Sequence, residues 1–350
     1  MEKNDNVRMS EDFFRLLRRS SARCGGAALF GEELSAAAPA VRQSFLPHSA
    51  KSHYYFEFPL IGHPCLDIMI QYKCGKLLRD MQLVENDVFG YGDFIAACAA
   101  REEWRDYLCF FAFDLSRGVQ KPNIYLMPSS YRQAEVDYVP RMLELLREEH
   151  RTEQAMRAFA TAPAGWQPYY AGLMGTRQDA PLRLGFVTKP GRVSQYAADP
   201  SRLVDDFNVF YPGGLPVIVA DQLSALANAS VDHVWDIQIN QFPDGSFDDN
   251  LGITPDMGFS YGDVRQAEKT MADQKVARVM QLLEDWHIAD DRWHLMGTAC
   301  YGVQCVAKRG KGRRLVADAV QLNAVKARFR RTGAYLAKGY LIAATWDLSY

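Results

Sequence analysis

Residues 333–346 read GAYLAKGYLIAATW, an alternation that predicts a β-strand, because successive strand side chains point to opposite faces. The polar members make the stretch informative. Lys338 and Tyr340 are two apart and share a face, opposite Gly339 and Leu341. A face wetted by bulk solvent would explain them; so would a face lining a cavity that holds an anion.

Sorting the other strand-like segments by parity gives the same division. His53, Tyr55 and Glu57 oppose Tyr54, Phe56 and Phe58, and Asp67, Met69, Gln71 and Lys73 oppose Leu66, Ile68, Ile70 and Tyr72. Asn123, Tyr125 and Met127 oppose Ile124 and Leu126; Asp236, Gln238 and Asn240 oppose Trp235, Ile237 and Ile239; Lys326 and Arg328 oppose Val325, Ala327 and Phe329. One face of each is apolar enough to be covered by helices. The other mixes Tyr, Gln, Asn, Met and single charges, unlike an ordinary solvent-facing surface. Two α+β architectures fit. One is an open antiparallel sheet with helices on one face. The other is a closed antiparallel β-barrel of about ten strands with helices packed outside, whose polar face becomes an aromatic-lined lumen and whose closure removes exposed edges.

The order of segments reads as a hairpin followed by one or two helices, about five times. HYYFEFP and LDIMIQYK flank an IGHP turn, and YLCFFAFDL (107–115) leads to NIYLMP (123–128). APLRLGFVTK (180–189) is a strand whose partner is GGLPVIVA (213–220), unless that segment leads into a helix. Residues 231–260 form a hairpin around Pro-Asp-Gly, and 293–308 and 320–329 flank the basic loop RGKGRR. Helical spacing appears over 131–161, with Pro140 dividing two helices or opening the second, and over 264–288. GWQPYY (165–170) reads as a loop packed on the core, the alternative being an aromatic gate to a pocket. Short connections imply antiparallel pairing. Residues 1–50 form a helical and loop segment in which FFRLLRR is a docked helix, and residues 51–350 form a single barrel-like domain.

Of 350 residues, 48% are hydrophobic, enough for a large core. A net charge of −2 with mixed signs points to no global attraction for nucleic acid or acidic membranes. KRGKGRR (308–314) lacks interleaved aromatics and reads as a solvated hairpin loop, the alternative being an electrostatic contact with phosphate groups or an acidic peptide partner. The seven cysteines form no C-x-x-C pair, which suits reduced thiols in a cytoplasmic protein. No signal peptide pattern and no run of 18 apolar residues occurs. His233, His287 and His294 lack metal-ligand spacing, PDGSFDDN lacks the terminal Glu of a calcium loop, and no Gly-rich phosphate loop or G-x-S-x-G elbow is present.

CFFAFDLSRGVQKPNIYLMP, AKGYL and VKARF together resemble the ABBA-type aromatic prenyltransferases, especially the dimethylallyl-tryptophan synthase group, whose barrel strands carry Lys-x-Tyr pairs. The resemblance is architectural, spread over about residues 50–345 through short patterns. It implies transfer of a prenyl group from an allylic diphosphate to an aromatic small molecule or peptide side chain. The alternative is a non-catalytic ligand- or peptide-binding accessory protein of the same fold. Carried onto this chain, the resemblance places Lys338, Tyr340, Lys326, Arg328 and Tyr125 on the diphosphate, with Lys73, Arg183 and Gln238 as further members. Glu57 becomes the acceptor-side carboxylate. No cofactor is required, and magnesium is left open. The pattern departs at Asn123, which stands where a Lys is expected, and at RLGF, which has no Tyr two residues after Arg183.

Overall fold

The computed structural model describes residues 4–31, 53–74, 90–115, 121–130, 135–175, 177, 179–211, 213–230, 233–259, 266–309 and 312–348. Eleven strands build one antiparallel sheet: β1 (His53–Pro59), β2 (Asp67–Lys73), β3 (Tyr107–Phe113), β4 (Asn123–Pro128), β5 (Trp166–Leu173), β6 (Leu182–Thr188), β7 (Trp235–Gln241), β8 (Phe247–Pro255), β9 (Tyr301–Arg309), β10 (Gly312–Arg330) and β11 (Gly333–Asp347). Ten of them close in the order β1 to β8, then β10 and β11, because β11 pairs with both β10 and β1. The closing register runs from His53↔Ala344 to Pro59↔Lys338. The open-sheet alternative is thereby discarded. The extra strand, β9, pairs only with β10.

Each of the first four hairpins is followed by helices. α3 (Gly92–Ala100) follows β2; α4 (Val139–Leu145) and α5 (Thr152–Ala160) follow β4. α6 (Arg192–Ala198), α7 (Pro200–Asn208) and α8 (Val217–Ala229) follow β6, and α9 (Ala267–Met271), α10 (Gln274–Asp285) and α11 (Leu295–Ala299) follow β8. Ahead of the barrel lie α1 (Asn4–Arg23) and α2 (Ala27–Phe30). No described helix is long and apolar enough to cross a membrane.

The parity sort is realised as two separate cores. Outward-facing Phe56, Phe58, Ile68, Ile70, Leu126, Phe186 and Ile237 join helix residues such as Met142, Leu143, Phe207, Leu223, Met280 and Leu283 in one large buried cluster. Each such side chain contributes roughly 1.5–3 kcal/mol on burial, so this layer dominates stability. A second, smaller cluster of Tyr55, Phe110, Ala112, Tyr125, Tyr170, Met174 and Ile342 lies inside the barrel.

The structure alters several segment boundaries. GWQPYY is not a loop but the start of β5; Pro168 removes a ladder donor, and the pairing shifts register between Pro168 and Tyr170. GGLPVIVA leads into α8, and β6 pairs instead with β5 and β7. The 264–288 helix is two helices, with the Asp273 side chain accepting from the Lys275 backbone N–H at 2.8 Å. Pro140 sits in the first turn of α4. β10 begins at Gly312, so the residues joining it to β9, 310–311, lie outside the described residues. Its register shifts between Leu322 and Ala324. This bulge exchanges parity: even residues such as Lys326 and Arg328 face inward after it, whereas odd residues do so before it.

The helix anticipated at FFRLLRR is part of α1, which packs on the outside of the barrel wall. Phe13 meets Tyr54 and Phe56 edge-on at 5.6 and 5.5 Å. Arg15 donates to both oxygens of the buried Asp318 at 2.7 and 2.8 Å, and Arg19 adds a third bond at 2.8 Å. Residues 32–50 lie outside the described residues. The described cysteines are all free thiols.

Candidate functional site

The lumen contains a cavity of about 1150 Å³, slightly above the usual range for small-molecule sites. It is lined by Tyr55, Glu57, Tyr125, Arg183, Gln238, Lys326, Arg328, Lys338 and Tyr340, so eight of the nine expected site residues and their neighbour Tyr55 face it together. Lys73 does not join them. It shares their parity but lies one rung past Gln71 at the end of β2, half-exposed, and pairs with Asp106 at 2.5 Å. The cavity stops before the strand does.

Two electrostatic regions divide the lumen. In the first, Lys338 bridges Glu57 at 2.7 Å and Asp67 at 2.9 Å. Register creates this triad: Glu57 lies opposite both Tyr340 and Asp67, and Lys338 is one rung along β11. Burial opposes ionisation of Glu57, but Lys338, Lys326 and Arg328 outweigh it and hold its pKa down to about 2. Burial likewise works against charge on Lys338, and the two carboxylates reverse that effect and push its pKa up. Asp67 is pushed up by burial and by the charges of Glu57 and Asp114, despite Lys338. Lys338 is therefore neutralised by its neighbours, and Glu57 is a strong hydrogen-bond acceptor but a poor proton acceptor.

The second region is cationic. Arg183 on β6 donates from Nε to Asn240 Oδ1 at 3.1 Å and from Nη1 to the Tyr125 hydroxyl at 3.2 Å. Asn240 in turn donates to Asp248 at 3.0 Å, and Tyr125 donates to Met174 Sδ at 3.3 Å. The guanidinium of Arg183 is thus held from either side, by Asn240 of β7 and Tyr125 of β4. Lys326 and Arg328 approach from β10, and Arg177 comes from the β5–β6 connection; their mutual repulsion marks their proximity. Burial, then Arg183 and Arg328, lower Arg177 to about 10. Lys326, with its ammonium 4.9 Å from the Tyr340 ring centroid, is lowered from 10.5 to about 7. Burial is the main cause, with Arg328 and Arg183 adding to it and Glu57 and Asp236 opposing. Burial and neighbouring like charge thus lower Arg177 and Lys326, a cost that an anion placed among them would reduce.

Two lumen glycines shape the aromatic surface. A Cβ on Gly185 would collide with the Tyr170 ring, and one on Gly172 would collide with the Tyr125 ring and the Ile124 carbonyl. Each ring therefore lies flat across a neighbouring strand. This accounts for the missing Tyr two residues after Arg183: position 185 is Gly, and Tyr170 from β5 occupies the space above it. The two rings meet edge-on at 6.1 Å. Gln238, beside Lys326 over Gly252, directs its amide nitrogen toward Asp236 at 3.5 Å.

Sequence reading missed Arg177 and Arg330, both in the cavity wall, along with Asp67 as a partner of Lys338 and Tyr169 and Tyr170 as lumen side chains. Arg330 carried a usable signal, since it continues the Lys326-x-Arg328 parity. Arg177 carried none, because no periodicity aims a loop residue. Among the described residues, no group of three His, Cys, Asp or Glu side chains is placed to hold a metal ion. The chain matches no protein-family model and no curated protein.

Proposed function

We propose that the protein binds an allylic diphosphate in its lumen and transfers the prenyl group to an aromatic acceptor. The observation that carries this reading is the convergence of Arg177, Arg183, Lys326 and Arg328 beside Tyr125, Tyr170 and Tyr340 in a closed, aromatic-lined cavity. The cations stabilise charge developing on the departing diphosphate as the carbon–oxygen bond breaks. The π faces stabilise the allylic cation left behind and keep water from it. The acceptor ring attacks that cation, and its displaced proton passes to the released diphosphate. Glu57, ionised and held by Lys338, orients the acceptor by accepting a hydrogen bond; its low pKa makes it unsuited to removing a proton. Lys338 serves Glu57 in this scheme, and the diphosphate role passes to Arg183 and Arg177.

Thermal melting with dimethylallyl or geranyl diphosphate tests the donor site, followed by mass spectrometry of aromatic acceptors incubated with the same donors. Stabilisation by the donor, its loss in Arg183→Met, and a mass gain of one prenyl unit are expected. No stabilisation by any allylic diphosphate refutes the donor site. Stabilisation without product, across aromatic amino acids, phenols and peptides, makes the chain a binding protein of the same architecture.

A further inference from the structure

The inner wall of the barrel does not end at its rim. β1 begins at His53, opposite Ala344, yet β11 continues to Asp347 and remains paired with β10. Ile342, which lines the cavity, and Trp346 share parity on β11, so Trp346 stands on the same inner face two rungs beyond it. Ala317 lies opposite Trp346, and Leu315 and its β9 partner Val306 come next on that face. The bulge between Leu322 and Ala324 makes this continuity, because it turns the odd residues of β10 inward ahead of the Lys326 segment. The opposite face of the same three strands is covered by α1 through Asp318. Ala344, between Ile342 and Trp346 on the inner face, is buried, and beyond it Trp346 is 41% exposed, Leu315 43% and Val306 64%. These are three of the seven large apolar side chains exposed among the described residues, gathered on one ledge at the mouth of the lumen.

Resting on the transferase reading, we propose that this ledge is an acceptor subsite and that the acceptor is a peptide: its aromatic side chain enters the lumen while its flanking apolar residues lie along Trp346, Leu315 and Val306. Three features select a peptide. From Ile342 to Leu315 the ledge spans about six residues of strand, on the order of 20 Å, the reach of a short extended peptide and more than a single aromatic compound covers. β9 is the end strand of the sheet, with β10 as its one strand partner among the described residues, an arrangement suited to pairing with an added extended chain. The ledge also continues, on the same strand face, the wall of the cavity that holds the proposed chemistry, and it ends at the exposed Arg313, which favours an acidic residue at the far end of the peptide.

The test uses the full chain and two probes without any prenyl donor: N-acetyl-tyrosine amide, and an acetylated octapeptide of alternating valine and serine with one central tyrosine and a terminal aspartate. Binding is read by calorimetry for the wild type, for Val306→Ser and for Trp346→Ser, with inorganic pyrophosphate as a control for the lumen. The peptide is expected to bind at least ten-fold more tightly than the amino-acid amide, and each variant to weaken the peptide about ten-fold while leaving pyrophosphate and the amide unchanged. Equal affinity for peptide and amide, or peptide binding indifferent to both variants, overturns the proposal. So does a wild-type dimer in sedimentation that Val306→Ser converts to monomer, since the ledge is then an interface between copies. Prenyl transfer to small aromatics with no preference for the peptide removes this inference and leaves the transferase. Ledge-dependent peptide binding with no transfer removes the transferase and leaves the inference.

Discussion

Lys326 gives the sharpest test of the lumen, because its charge is set by the cavity. Burial and the neighbouring Arg328 and Arg183 lower it from 10.5 to about 7, against the pull of Glu57 and Asp236. At pH 6 it is about nine-tenths protonated and at pH 8.5 about 3% protonated, so an anion that requires its charge binds roughly 30-fold more weakly at the higher pH, equivalent to about 2 kcal/mol. Calorimetric titration with inorganic pyrophosphate from pH 6 to 8.5 measures this directly. Comparison with Lys326→Met cancels the ionisation of the ligand itself. At pH 8 the wild type should also take up close to one proton per anion bound, seen by repeating the titration in buffers of different ionisation enthalpy. The ligand-free protein carries the complementary sign. The folded pKa lies below the unfolded one, so the unfolded chain binds more protons between about pH 7 and 10.5, and wild-type stability rises with pH through that window relative to Lys326→Met. A wild type and variant with parallel pH profiles and equal proton uptake would refute the placement of Lys326 among the anion-binding cations.

Arg183→Met should weaken pyrophosphate binding at least ten-fold, whereas Tyr125→Phe, which keeps the ring but removes the hydroxyl that accepts from Arg183, should weaken it only a few-fold; equal losses would contradict the geometry. Lys338→Met leaves Glu57 and Asp67 facing each other without a counter-charge and should cost about 3–5 kcal/mol in urea unfolding at pH 7, with much of it recovered in the triple variant that adds Glu57→Gln and Asp67→Asn. A loss below about 1 kcal/mol would show that the triad is solvated. Asp318→Ala removes the carboxylate that anchors Arg15 and Arg19 and should cost about 2–4 kcal/mol, with proteolysis first detected within α1. Burial opposes the charge of Asp318, but its bonds to Arg15 and Thr345 hold its pKa below 3.8. Its stabilisation is therefore present above that value and lost as pH falls through the lower folded one. Gly185→Ala should drive the Tyr170 ring into the cavity and reduce aromatic-ligand binding more than pyrophosphate binding.

The alternation of the strands carried most of the inward-facing set. Parity alone placed Glu57, Tyr125, Gln238, Lys326, Arg328, Lys338 and Tyr340 on one face, because a strand has a period of two whatever its surroundings. It also carried the apolar outer face and the α+β class, since helices must cover such a surface. It failed where local rules are overridden. Pro168 hid β5 until a bulge accommodated it, and the bulge near Ala324 exchanged the faces of β10 along its length.

The tertiary structure decided what no one-dimensional pattern holds. Closure depends on β11 meeting β1, residues far apart in sequence, and only that pairing turns a polar face into a lumen. The same register sets Lys338 between Glu57 and Asp67 and removes it from the free cations, while Arg177 is brought in from a connection with no periodic signal. Within a regular strand, sequence determines which side chains share a face. How far a lysine's charge is cancelled, where the cavity stops short of Lys73, and where the wall continues past the rim to Trp346 depend on which strands become neighbours, because electrostatic and packing energies follow distance in space.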